Sequence, residues 1–163
     1  IQGGATLAGS RMGYGAPRRA VTSFDTNLVV HSVNRDSLLH KRARDFLHRL
    51  GGQRDVLVCE LMLVEVFLKL CNGRIFRKPL SPRQAGDYCQ TLRANQNWLL
   101  VESAPVMGNV WEWTRHRNFA FRRLIDIRLG LTLRHHGVTQ FATTNPKDFG
   151  GLGFAKVWNP LEG

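Results

Sequence analysis

The sequence is poor in acid. Only 12 Asp and Glu stand against 23 Lys and Arg in 163 residues, a formal net charge of +11. A surface of that sign attracts polyanions, RNA or DNA first among them. Three arginines, Arg11, Arg18 and Arg19, stand in the first twenty positions, and the remainder still carries about +8. Cysteine is also scarce. Cys59, Cys71 and Cys89 are odd in number and share no CxxC spacing, which argues against a disulfide framework or a zinc knuckle and for reduced thiols in a cytoplasmic protein. Long apolar runs are missing too: the stretch from Val56 to Leu70 is broken by Glu60, Glu65 and Lys69, so no membrane span is expected. No lipid-anchor motif stands beside a basic amphipathic helix, which leaves nucleic acid ahead of membrane as the partner. The opening IQGGATLAGSRMGYGAPRRA lacks the charged-then-apolar order of a signal peptide. Residues 1–20 read as a flexible leader or an added extension, and 21–163 as one domain.

What is present is an alternation of short apolar strands with amphipathic helices. VTSFD predicts a first strand, followed by a short helix from Leu28 and a second helix from Ser37 to Leu50 that Gly51-Gly52 ends. DVLVC predicts strand two, and ELMLVEVFLKL a helix that is apolar almost all round and mostly buried. After a basic loop at 72–81, Ser81-Pro82 starts a helix to about Asn95, and NWLLVES supplies strand three. A helix opened by Pro105 leads through the basic RHRNFAFRR to another that begins at Asp126 and stops at Gly137. QFATTN and AKVWN are the last two strands. This order predicts an α/β fold with a parallel sheet covered by helices on both faces.

With so few acids, each position is informative. Asp25 closes strand one, Glu65 lies inside LMLVEVFL, Asp126 inside LIDIRL, and Asp148 in the loop after strand four. An unpaired buried carboxylate costs several kcal/mol or is pushed toward its neutral form. In a parallel sheet, ligand sites form beyond the carboxyl ends of the strands, and all four acids map to that end. Carboxylates gathered there without an internal counter-ion call for a hard divalent cation such as Mg2+ or Mn2+. Each acid also has a plain structural reading: Asp25 as a helix cap, Glu65 as a solvated helix position with Glu60 as its competitor, Asp126 as a first-turn acid favoured by the helix dipole, Asp148 as a turn residue. Glu60 and Glu65 lie five residues apart, so a helix does not aim both at one site. His135 and His136 read as helix-end residues, and no Walker loop, GxSxG or GxGxxG occurs.

DTNLVVHSV, the Glu of VCELMLVEVFLKL, LIDIRLGLTLRHHGVTQFAT, TTNPKDF and FAKVWNP together resemble the PIN domain, and within it the VapC-type toxins of bacterial toxin–antitoxin pairs, over about residues 21–161. The resemblance implies a three-layer fold with a five-stranded parallel sheet in the order 3-2-1-4-5. It implies an endoribonuclease dependent on Mg2+ or Mn2+, a hydrolase that cuts by a metal-activated water and leaves 5′-phosphate and 3′-hydroxyl ends. On this reading Asp25, Glu65, Asp126 and Asp148 are catalytic and hold metal, while Thr26, Asn27, Thr143 and Asn145 support them. It further implies a cognate antitoxin and commonly a homodimer. His31 stands where the family often has an aromatic, and 72–123 carries no matching motif. Arg42, Arg44, Arg115, Arg117, Arg122 and Arg123 are the candidates for RNA phosphates, with Trp111, Trp113 or Phe119 for stacked bases. Two rival readings remain: a non-catalytic RNA-binding module of the same fold, and a phosphate-receiving signalling domain, which would need an Asp where strand three ends in Val101-Glu102-Ser103.

Overall fold

In the computed structural model the described residues are 20–162, so the expected leader, apart from its last residue, lies outside them. Five strands form one all-parallel sheet: β1 (Thr22–Phe24), β2 (Val56–Cys59), β3 (Trp98–Val101), β4 (Gln140–Ala142) and β5 (Lys156–Trp158), in the order β3-β2-β1-β4-β5. All four residues of β2 are buried, as expected of a strand covered on both faces. Edge strand β3 instead leaves Leu99 61% exposed. The core is built on Phe24, Leu28, Leu57, Met62, Ile127 and Phe141, each buried to 1% exposure or less.

Parallel strands need crossovers, and helices supply them: α1 (Thr26–Val33), α2 (His40–Gly51), α3 (Glu60–Leu70), α4 (Pro82–Arg93), α5 (Met107–Thr114) and α6 (Arg123–His135). The chain steps from β1 to β2 to β3 in one direction, then returns across the sheet to β4. Right-handed crossovers therefore place α1–α4 on one face and α5–α6 on the other. Consistent with this, α1 packs on α2 and α3, α3 on α4, and α5 on α6. The reversal makes the gap beyond β1 and β4 the topological switch point, where open α/β sheets bind their ligands.

Local chemistry sets the helix ends. Ser81 and Gln84 form a reciprocal capping box ahead of Pro82. At the end of α6, Gly137 takes φ +87°, its N–H donates to Arg134 O, and Val138 N–H donates to Leu133 O, a Schellman closure. Four expected helix starts move. The helix expected to open at Pro105 begins at Met107. The second helix begins at His40 rather than Ser37, because Ser37 is held in a turn whose hydroxyl accepts the Leu39 N–H. The helix expected from Leu28 starts at Thr26, capped by Asp25. The helix expected from Asp126 starts at Arg123, which puts Asp126 in its first turn. Gly130 sits one turn beyond Asp126, and a Cβ there would lie 2.5 Å from Leu152 Cδ1 and 3.6 Å from Phe149 Cδ1. Its missing side chain lets α6 close on the 3-10 turn Pro146–Phe149 that carries Asp148.

Candidate active site

Asp25 lies at the switch point and is 4% exposed. Its N–H donates to Ala142 O at 2.8 Å, which ties it to the end of β4. Its Oδ1 accepts from Thr26 Oγ1 at 3.1 Å and from the Asn27 N–H at 3.5 Å; its Oδ2 accepts from Asn27 Nδ2 at 3.1 Å and Thr143 Oγ1 at 2.8 Å. Thr143 in turn accepts the Asn145 N–H at 3.0 Å. Burial pushes the Asp25 carboxyl above its ordinary value, and Glu65 adds to this, while the Thr143 hydroxyl, the Lys69 charge and Thr26 oppose it. Asp25 is thus both a helix cap and a strained acid.

Asp126 is pushed from 3.8 up to about 6, first by burial and then by the facing carboxylates of Asp25, Glu65 and Asp148, with Lys69 opposing. Four acids from four separate segments therefore share one field. Asp148 is half-buried in the 3-10 turn, where its carbonyl accepts from Arg123 Nη2 at 2.8 Å.

One expectation fails here: the cluster has an internal counter-ion. Lys69 Nζ lies 2.8 Å from Glu65 Oε1 and donates to Thr26 Oγ1 at 2.8 Å and Asn27 Oδ1 at 2.9 Å. Glu65 and Lys69 are four apart on α3, the spacing at which helical side chains meet. A lysine inside an otherwise apolar helix, one turn after an acid, was the signal for it in the sequence. Among the described residues, no three Asp, Glu, His or Cys side chains stand close enough to form a ready cation cage. The competitor Glu60 pairs with Arg93 of α4 at 2.6 Å, which leaves Glu65 as the α3 acid that faces the others.

No family model matches the chain. Ribonuclease VapC24 of Mycobacterium tuberculosis, in strains CDC 1551 / Oshkosh and ATCC 25618 / H37Rv alike, is 46% identical over 139 residues, 85% of this chain and 96% of that protein. The chain belongs to the VapC family of PIN-domain ribonuclease toxins. Solved structures agree on the fold. Mycobacterium tuberculosis VapC20, a toxin described as cleaving the sarcin-ricin loop, superimposes with a TM-score of 0.58 at 19% identity, over 82% of this chain and 95% of that one. FitAcB from Neisseria gonorrhoeae gives 0.58 at 17% identity, over 85% and 97%.

The basic residues of this VapC chain divide into two groups. Arg115, Arg117 and Arg122 occupy the segment joining α5 to the acid-bearing α6, and Arg123 is the first residue of α6. Arg123 is committed to the Asp148 carbonyl and Arg115 lies 3.3 Å from Glu112, whereas the Arg122 guanidinium sits 5.8 Å over the Phe121 ring. Arg42 and Arg44 lie apart on α2: Arg42 donates to Leu161 O at 2.9 Å, and Arg44 lines a cleft with His48, Tyr88 and Trp98 at the opening of β3. Of the aromatics, Trp111 is 52% exposed, while Trp113 and Phe119 pack on the core. Phe121, 78% exposed, stands two residues after Phe119 in a basic run, where the sequence does not say which ring is exposed. His31 is turned inward, its Nδ1 2.8 Å from Ser37 Oγ, and burial lowers its value. No helix among the described residues is long and apolar enough to cross a membrane.

Proposed function

We propose that this VapC chain is a Mg2+- or Mn2+-dependent endoribonuclease, restrained by a cognate antitoxin. The observation that carries the reading is the Asp126 carboxyl, pushed to about 6 while Asp25, Glu65 and Asp148 face it at the switch point. The donor set fits such an ion, because it offers carboxylate oxygens in excess of the one ammonium present. Mg2+ keeps several of its waters and takes one or two carboxylates directly, so the lack of a ready three-acid cage suits it.

Asp25, Asp126 and Asp148 would hold the ion, one or two of them directly and the rest through its waters, with Glu65 behind them on its lysine. Bound there, the ion would supply a water of lowered pKa and a charge to offset that of the phosphate in the transition state. The chain's own residues do the rest. Thr26, Asn27 and Thr143 fix the plane of the Asp25 carboxylate, and the 3.5 Å contact from the Asn27 N–H makes Oδ1 the more weakly held oxygen. Thr143 also holds the Asn145 backbone, which sets an exposed amide beside the site. On this reading Arg117 and Arg122 would take the phosphates flanking the cut, and the exposed rings of Phe121 and Trp111 would stack splayed bases. Arg42 and Arg44, on another face, would contact only a longer RNA. Because the 2′-hydroxyl is not needed as nucleophile, the products carry 5′-phosphate and 3′-hydroxyl ends.

Restraint and pairing belong to the same reading. On α3, Val64 is 56% and Leu68 61% exposed, and Leu63, Val64, Phe67 and Cys89 line an apolar groove between α3 and α4. That groove offers area for an antitoxin segment or a second copy of the chain. The test is purified protein with single-stranded and stem-loop RNA, the latter because VapC20 is named for cleaving a loop. Cleavage is expected with Mg2+ or Mn2+, none with EDTA, and none with Asp25→Asn. RNA binding without cleavage under every metal condition would replace this reading by the RNA-binding module.

A further inference from the structure

We propose that Lys69 is a positioning residue that serves as a resident cation: it withdraws Glu65 from the metal ligands and leaves room for one divalent ion among Asp25, Asp126 and Asp148. This deepens the metal-dependent reading above and rests on it. An ammonium group has three protons, and all three are engaged, by Glu65 Oε1, Thr26 Oγ1 and Asn27 Oδ1 at 2.8, 2.8 and 2.9 Å. Lys69 and Glu65 are both largely shielded, at 25% and 21% side-chain exposure, so solvent screens the pair only partly.

Two of these three contacts control Asp25. Lysine only donates and carboxylate only accepts, so the Asn27 amide, lying between them, has a single orientation that satisfies both: Oδ1 toward Lys69, Nδ2 toward Asp25 Oδ2. Thr26 is oriented likewise, accepting from Lys69 and giving its proton to Asp25 Oδ1. Lys69 thus fixes both partners that aim the central acid, as the outer partners of metal ligands generally do. A divalent ion on Glu65 Oε1 would stand against an ammonium already on that oxygen, and two cations sharing one carboxylate oxygen repel. Four carboxylates against one ammonium leave an excess of negative charge that a single divalent ion largely offsets.

The experiment is Mn2+ binding to metal-free protein, read by calorimetry and by electron paramagnetic resonance, for the wild type and for Glu65→Gln, Lys69→Met and Lys69→Met/Glu65→Gln. The wild type should bind one Mn2+ per chain. Glu65→Gln keeps an oxygen for Lys69 and should change Mn2+ affinity by no more than about threefold, where losing a true ligand or its support costs on the order of 10–100-fold or more. Lys69→Met should admit a second Mn2+, and the double variant should return to one. In RNA cleavage, Lys69→Met should lose about 10–100-fold in kcat with KM little changed. Two Mn2+ in the wild type, or a hundredfold affinity loss in Glu65→Gln, overturns this inference and leaves the metal-dependent nuclease standing. If Lys69→Met does not fold, Glu65→Gln alone decides. No Mn2+ bound to the wild type overturns both.

Discussion

The two halves of the acidic site are built differently. On the β1–α3 side, Asp25 accepts four protein hydrogen bonds and Glu65 is paired with Lys69. On the α6 side, Asp126 meets three other carboxylates opposed by the charge of Lys69, and what is anchored in Asp148 is its backbone, the N–H by Asn145 O and the carbonyl by Arg123. One half is held by donors whether or not an ion is present; the other carries repulsion that an ion would relieve. A site arranged this way keeps its shape when empty and gains most from the cation where charge is least compensated.

The largest effect that tests this contrast is on activity. Asp25→Asn and Asp126→Asn should each lower RNA cleavage about a thousandfold or more, since on the proposed reading each removes a charge that would hold the ion offsetting the transition-state phosphate. Initial rates on a labelled RNA, with ends mapped, check it. If only one variant lost activity, the two halves would not serve one centre.

Stability should then separate what activity does not. Without metal, Asp25→Ala leaves the buried Thr143 hydroxyl and the Asn27 amide without their acceptor and removes the cap of α1, a loss of about 1–3 kcal/mol. Asp126→Asn removes one of four mutually repelling carboxylates and should stabilise the metal-free protein by about 1 kcal/mol. Urea unfolding in EDTA reads both, and equal signs would dissolve the contrast. Excess Mg2+ should reverse the order, because the wild type gains binding energy that the Asp126 variant lacks.

pH probes the same half more gently. A carboxyl raised in the folded state binds its proton more tightly there than in the unfolded chain, so it favours folding at low pH. That contribution fades as pH climbs through the interval from the ordinary 3.8 to about 6. For a half-buried group open to solvent screening, the loss is about 1–2 kcal/mol. Metal-free wild type should therefore weaken between about pH 4 and 6, with Asp25 adding in the same direction, and Asp126→Asn should flatten the profile. Mn2+ binding should weaken over the same interval as pH falls, since protons compete for the ligands.

How far the sequence reached follows the same divide. The sheet order, the helices on both faces and the arrival of Asp25, Glu65, Asp126 and Asp148 at one end were legible, because periodicity and strand ends are local properties and the motif set resembles one family. The role of Lys69 was not: in the sequence it reads as a break in an apolar run, and its partners Thr26 and Asn27 lie more than forty positions away. The commitments of Arg42 to the Leu161 carbonyl and Arg123 to the Asp148 carbonyl were hidden for the same reason, since a guanidinium in a basic stretch reads as surface until its acceptor is known. Phe121 shows the converse. Its exposure is a tertiary fact, and the three-residue pattern Phe119-Ala120-Phe121 does not say which ring turns inward.

Gly130 gives the smallest test and bears on the α6 half alone. Its backbone comes so close to the loop after the 3-10 turn that a methyl group would meet Leu152 Cδ1 at 2.5 Å, with Phe149 and Phe154 at 3.6 Å. The near contact is the tip of a flexible side chain, so Gly130→Ala should cost about 1 kcal/mol, the low end for overpacking a core. The shift it forces is between α6 and the turn bearing Asp148, leaving the hydrogen bonds of Asp25 with Thr26, Asn27 and Thr143 untouched. Cleavage should therefore fall severalfold and the Mn2+ affinity with it, while the pH profile of metal-free stability becomes shallower as Asp126 and Asp148 move apart. A loss of stability with unchanged Mn2+ affinity would show that the spacing of those two acids does not depend on this contact.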